Sequence, residues 1–205
     1  MARTVDPERH QQRRLVIIDA ALTCFARDGY ERTTTAAICR QAGIGSGTLF
    51  HYFPTKLAIL TGVLEYGTGE TREWFAAHDQ DVDPWQVVLG WVDQCAQDAT
   101  DERLAGFVVA VGGVMTVPEV ASALADDERA QREGLRPWVE RARAEGAIRG
   151  DWSVDRSLQW ILLLLNGFLD RIASEPGFRA ADEAAHLRDA VTRVLAAEQR
   201  GPAPR

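Results

Sequence analysis

Apolar positions recur along this chain with a period near 3.6 residues and almost never alternate, a pattern that predicts amphipathic helices from end to end. The β-branched clusters at 108–111 and 114–120 lack sustained alternation, so they predict no strands. A first helix is expected over 7–28, with Leu15, Ile18, Leu22 and Phe25 as its apolar stripe and Gly29 as its stop. Two brief helices follow, over 35–42 with Thr34 as N-cap and over 46–52, separated by Gly43. Thr55 then caps a long helix to about 78. Beyond it helices are expected over 84–99, 102–115, 119–125, 127–145, 154–174 and 180–199.

Two short helices joined by a glycine turn under one long helix are the geometry of a helix-turn-helix. The segment 154–174 differs from a surface helix, because it is apolar almost all round from Trp160 to Leu169. It is therefore expected to be covered on two sides, once by its own domain and once by a second subunit. The expected dimer seam comprises Leu165, Phe168 and Leu169 with Leu187, Val191, Val194 and Leu195 of the last helix. The fold class is all-α: an N-terminal three-helix helix-turn-helix domain over 1–54, joined by a long helix to a C-terminal helical ligand-binding and dimerisation domain over 55–200. Residues 201–205 read as a disordered tail.

With 205 residues, 46% hydrophobic and 26% charged, the chain reads as a folded soluble protein. Without an apolar run of about 18 residues or an apolar core near the N-terminus, it is expected to span no membrane and to stay in the cytoplasm. Cys24, Cys39 and Cys95 have neither disulfide nor zinc spacing, so they read as small buried apolar residues, and no metal or cofactor is expected. The charge distribution changes the picture more. Residues 1–56 hold eight cations against five carboxylates, a balance of +3, whereas the whole chain carries −7. A basic head on an acidic body suits a protein in which only the head approaches phosphates.

The most specific segment is GYERTTTAAICRQAGIGSGTLFHYFPTKLAIL, residues 29–60. Gly29-Tyr30, Thr34-Thr35, Ile38, Ala42-Gly43, Gly47-Thr48-Leu49, Phe53, Lys56 and Leu60 stand there at the spacing of a known DNA-reading motif. The segment resembles the DNA-binding region of TetR-family transcriptional regulators. The resemblance implies a homodimeric repressor on a double-stranded DNA operator, released when a small lipophilic or aromatic effector binds the C-terminal domain. A ligand-sensing or partner-binding protein without operator binding, and an activator on the same fold, are the alternatives. An enzyme is not indicated: 43–48 lacks the third glycine and the preceding strand of a dinucleotide fingerprint, and no nucleophile or metal-protease motif occurs. No catalytic residue is therefore proposed.

The DNA-binding residues implied are Thr34, Thr35, Gly45, Ser46, Gly47, Thr48, His51, Tyr52 and Lys56. Physical chemistry suits these roles. The amides at the Thr34-Thr35 helix start favour a phosphate, and small residues at 45–48 let a backbone enter the major groove. Lys56 is the only lysine in the chain, and its compact ammonium suits a point-charge phosphate contact. Phe50 stands where the family usually has tyrosine, and Gly45 where a serine often caps the recognition helix. In the body, Trp74, Trp91, Phe107, Met115, Trp138 and Asn166 are the expected effector contacts.

Overall fold

A computed structural model describes residues 7–78 and 82–197. The described elements are helices α1 (Pro7–Arg32), α2 (Thr35–Ala42), α3 (Ser46–Tyr52), α4 (Lys56–Ala76), α5 (Pro84–Asp98), α6 (Glu102–Gly112), α7 (Pro118–Ala144), α8 (Val154–Ser174) and α9 (Ala180–Leu195). An isolated antiparallel bridge pairs Ile148 with Ala196. The chain forms two compact units. One takes the residues up to Gly69 with Glu102–Asp127; the other takes Glu70–Asp101 with the chain from Glu128 onward.

The first unit, the head, is built around α1. Ile17, Ile18, Cys24 and Phe25 of that helix meet Ile38 of α2, Leu49 of α3, Ile59 and Leu60 of α4, and Phe107 and Val111 of α6 in one buried cluster. The expected domain limit at 54 falls inside this unit, because α4 and α6 supply part of the same core. Helix α6 lies backbone-close on α1: a Cβ at Gly106 would stand 2.2 Å from the Ala26 carbonyl oxygen, so only glycine fits the crossing. Arg103 of α6 adds an ion pair to Asp19 at 2.7 Å and a bond to the Thr23 hydroxyl at 3.0 Å.

The second unit, the body, packs α5 on α9 and α9 on α8. Val88, Trp91 and Val92, Leu158, Ile161, Leu162 and Leu165, and Leu187, Val191 and Leu195 are its buried faces on those three helices. Arg188 of α9 bonds to Asp93 and, at 3.4 Å, to the Leu89 carbonyl of α5.

Helices α2, α3 and α8 have the expected bounds, α4 and α5 end one or two residues early, and α1, α6, α7 and α9 differ more. The first helix is interrupted at Gly29 as expected, since its φ of 75° and ψ of 167° are non-helical and open to glycine, and a short further piece carries α1 on to Arg32. Helix α6 ends at Gly112 instead of 115. The pieces expected over 119–125 and 127–145 are one helix, α7, since neither glycine nor proline interrupts 119–133 and the run is rich in alanine, glutamate and arginine. Asp127, read as the start of a new helix, instead accepts a bond from the Thr68 hydroxyl at 3.3 Å. The last helix ends at Leu195; its expected final residues and the 201–205 tail lie outside the described residues.

The same helical geometry divides the residues of the expected dimer seam. On α8, Leu158, Ile161, Leu162, Leu165 and Phe168 form the face turned into the body. Leu165, Phe168, Leu187, Val191 and Leu195 are therefore already buried within one subunit, while Leu169 and Val194 are half-buried. The apolar side chains α8 leaves outside are Trp160 and Leu163, the latter 57% exposed. Every 3.6 residues the helix turns once, so a run apolar all round has an inner and an outer set; Leu165, Val191 and Leu195 lie inward, while Phe168 and Leu187 also border a surface groove with Leu163.

Candidate nucleic-acid interface

Thr34 is in extended conformation, and its hydroxyl accepts the Ala37 N–H at 3.1 Å, fixing the start of α2. Gly43 closes α2 in the left-handed region, and Ile44 N–H reaches back to the Cys39 carbonyl at 3.0 Å. The chain is thereby turned into α3 within a few residues. Leu49 and Phe53, four apart, are buried with Ile38 and anchor α3. The other side of the helix is outside: Gly45, Ser46, Gly47, Thr48 and His51 are exposed, and Phe50 is 48% exposed. Gly45 at the N-cap provides no side-chain bond, so small groups and open first-turn amides make up the leading end of α3. Thr35, the first residue of α2, and Tyr52, the last of α3, are half-buried.

Two contributors were not anticipated. His10 of α1 lies against Tyr52 with ring centroids 4.5 Å apart and 6.1 Å from His51, which brings the first turns of α1 beside the end of α3. Phe50, read as a lost hydroxyl, is an apolar group on the exposed side of α3 and suits a thymine methyl. Only periodicity signals α1, and periodicity does not say which helix end it meets.

The structure gives Lys56 a different occupation from the expected phosphate contact. Its ammonium donates to the carbonyls of Tyr30 at 2.8 Å, Thr33 at 3.0 Å and Glu31 at 3.2 Å, and it lies 4.3 Å from the centre of the Tyr30 ring. Three donors meet three acceptors at the end of α1, where carbonyls face away from the helix with no partner in the next turn. The Thr33 hydroxyl, itself buried, lies 2.7 Å from the Gly29 carbonyl and 3.1 Å from that of Cys24. The link between α1 and α2 is thus held by side chains from both flanks.

In the body, three of the six expected effector residues come together. Trp74 packs on Trp91 at 5.1 Å between ring centroids, Phe75 on Trp91 at 4.8 Å, His78 on Trp74 at 4.1 Å, and Trp138 edge-on to His78 at 6.4 Å. The other three do not join them. Phe107 is buried in the head core, because α6 packs on α1. Met115 follows the end of α6 and is 54% exposed, and Asn166 is exposed on the outer side of α8. Helix membership placed them near a cavity in the sequence reading; the direction of each side chain decided otherwise.

Residues 17–63 match the model of the bacterial regulatory proteins of the tetR family. Residues 17–63 of the chain are thus similar to the DNA-binding region of the TetR family. It is a helix-turn-helix transcriptional regulator, as are the relatives it matches over most of its length. The regulator UidR of Escherichia coli K12 is 24% identical over 187 residues, covering 91% of this chain and 95% of its own. The transcriptional repressor AcnR of Corynebacterium jeikeium is 26% identical over 174 residues, covering 84% and 88%. Two solved structures of similar fold were determined with small molecules. FadR of Bacillus subtilis, with stearoyl-CoA, superposes with a TM-score of 0.69 at 18% identity over 86% of this chain and 96% of its own. A regulator of Saccharomonospora viridis, with choline, gives 0.75 at 18% identity over 90% and 98%. Among the described residues, no helix is long and apolar enough to cross a membrane.

Proposed function

We propose that the protein is a cytoplasmic, homodimeric repressor that occupies a palindromic DNA operator and leaves it when a small effector binds the body. Reading is assigned to 1–54, and effector binding and dimerisation to 55–200. The observation that carries the proposal is the leading end of α3, where Gly45, Ser46, Gly47 and Thr48 stand exposed on a helix whose opposite side is anchored by Leu49. Ser46 and Thr48 reach base edges in the major groove, while Thr34, Thr35, His51 and Tyr52 meet phosphates at its rim. Lys56 supports them by holding the link before α2, and it reaches DNA only by giving up carbonyls.

Dimerisation is assigned to the outer side of α8 and the adjoining edge of α9. Leu163, Gly167 and Phe178, with His186 and Leu187, line a groove of about 260 Å³ there. Two such faces related by a two-fold axis would set two α3 helices on successive major grooves, roughly 34 Å apart or somewhat more. The aromatic cluster around Trp74, Trp91 and Trp138 is the proposed effector site.

A salt-titrated binding assay on the DNA flanking the protein's own gene tests the reading. A specific site bound at least about 10³-fold tighter than random DNA, with affinity falling linearly on a log-log salt plot, is the expected result. Equal affinity for flanking and random DNA at every salt concentration would overturn it.

A further inference from the structure

The aromatic cluster of the body contains two donors that the protein leaves unmatched. Trp91 is 5% exposed, and its indole N–H is buried without a hydrogen-bond partner. Arg141 of α7 lies with its guanidinium 5.3 Å from the centre of the Trp138 ring, and its Nη1 is likewise buried and unpartnered. The same guanidinium is otherwise only lightly held. Its Nη2 donates to the Val82 carbonyl at 3.3 Å and stands 3.8 Å from a Glu145 carboxylate oxygen, too far for a good hydrogen bond. Buried donors are paired in nearly all native structures, and an indole N–H or a guanidinium fork without an acceptor is costly. Trp91 and Arg141 sit on α5 and α7 of one unit, joined through the ring contacts of Phe75, Trp74, His78 and Trp138.

We propose that this cluster takes a flat aromatic carboxylate, whose ring system stacks among the tryptophans and whose carboxylate accepts from the Arg141 guanidinium and the Trp91 indole N–H. This rests on the effector reading given above and specifies its ligand class. Both open groups are donors, so the missing partner is an acceptor. One of them is a cation, so an anion is favoured over a neutral carbonyl, and a planar fork matches a planar carboxylate with two parallel bonds. A quaternary ammonium, the other ligand that aromatic clusters attract, would be placed beside the Arg141 guanidinium already seated over Trp138. His78 is set up in the same way: its Nδ1 lies 2.8 Å from the Trp74 carbonyl, which can only accept, so Nδ1 carries the proton and holds the ring over Trp74.

The full-length protein is titrated with benzoate, 1-naphthoate and 9-anthroate, with 1-naphthamide as the neutral match and benzyltrimethylammonium as the cation. Tryptophan fluorescence and thermal shift follow binding, and operator release is measured in parallel. At least one carboxylate is expected to bind, with 1-naphthoate at least tenfold tighter than 1-naphthamide. Arg141→Met, which keeps a stem against Trp138, is expected to shrink that ratio to threefold or less while operator affinity without ligand stays unchanged. Trp91→Phe removes one N–H and keeps a ring; it is expected to weaken 1-naphthoate several-fold, and it serves if Arg141→Met does not fold. The proposal is overturned if none of the three carboxylates binds at millimolar concentration, if the amide or the ammonium binds as tightly as 1-naphthoate, or if neither variant weakens the carboxylate. Operator binding by the ligand-free protein is read separately, so a failed ligand class is distinguishable from a failed regulator.

Discussion

Head and body use the same building material for different ends. In the head, apolar residues from α1, α2, α3, α4 and α6 converge on one cluster, and the outer side of α3 carries small and polar groups with Phe50. Both units leave some apolar side chains outside, Val109 in the head and Leu163 in the body, but the body also leaves donors without acceptors within its aromatic cluster. The head is complete as a folded object and meets its partner with a surface. The body is incomplete, since its unmatched donors call for something bound. A unit that reads DNA gains from rigidity, whereas one that responds to a second molecule needs bonds not yet made.

The largest effect that tests this contrast lies on α8, where two leucines two positions apart face opposite ways. Leu165 is 3% exposed and Leu163 is 57% exposed. Leu165→Glu buries a carboxylate with no partner and is expected to cost about 4 kcal/mol or more, enough to unfold the body. Leu163→Glu is expected to leave the thermal midpoint of the isolated subunit nearly unchanged but to give monomers in sedimentation, with operator affinity lost through the broken dimer. If Leu163→Glu remains dimeric at micromolar concentration, the outer side of α8 is not the seam.

Much of the head was legible in the sequence, because its turns are written in residue types with local causes. Thr34, Gly43 and Pro54 delimit α2 and α3 to the residue. What was not legible depends on contacts distant in sequence. Nothing local announces that α6 packs on α1 through Gly106 and Ala26, 80 positions apart, and so Phe107 was read as an effector contact. Periodicity likewise shows that α8 has an apolar surface without saying which part faces inward. Lys56 is the sharpest case: its singular presence was visible, but the three carbonyls it meets belong to residues 23 to 26 positions earlier.

Two substitutions of middling effect separate holding from reading within the head. Lys56→Ala strips the Tyr30, Glu31 and Thr33 carbonyls of a charged donor and is expected to destabilise the head by about 1 to 3 kcal/mol, weakening binding to every DNA sequence alike. Its salt slope should stay the same, because the ammonium is spent on the protein. A slope reduced by about 0.9 per subunit would instead show that Lys56 leaves its carbonyls for a phosphate. Thr48→Ala touches an exposed side chain, so stability should hold, while operator binding drops by about 1 to 3 kcal/mol per half-site and nonspecific binding stays put.

The smallest effect is a labelling rate, and it asks whether the two units open together. Cys24 and Cys39 are buried in the head, while Cys95 is half-exposed in the body. Burial pushes the Cys24 thiol pKa above its ordinary value, against a smaller opposing pull from the Arg27 guanidinium, so little thiolate is present near neutral pH. In the native protein a thiol reagent is therefore expected to modify Cys95 first. Cys24 and Cys39 should react only as fast as the head opens, and a Cys95→Ser variant isolates that signal. Adding operator DNA should slow the head cysteines, since DNA binds the folded head and not its open form, and should leave Cys95 in the original protein unaffected if the body opens on its own. Equal slowing of all three by DNA would show that head and body open as one cooperative unit, and the contrast between a complete head and an incomplete body would then not extend to their stabilities.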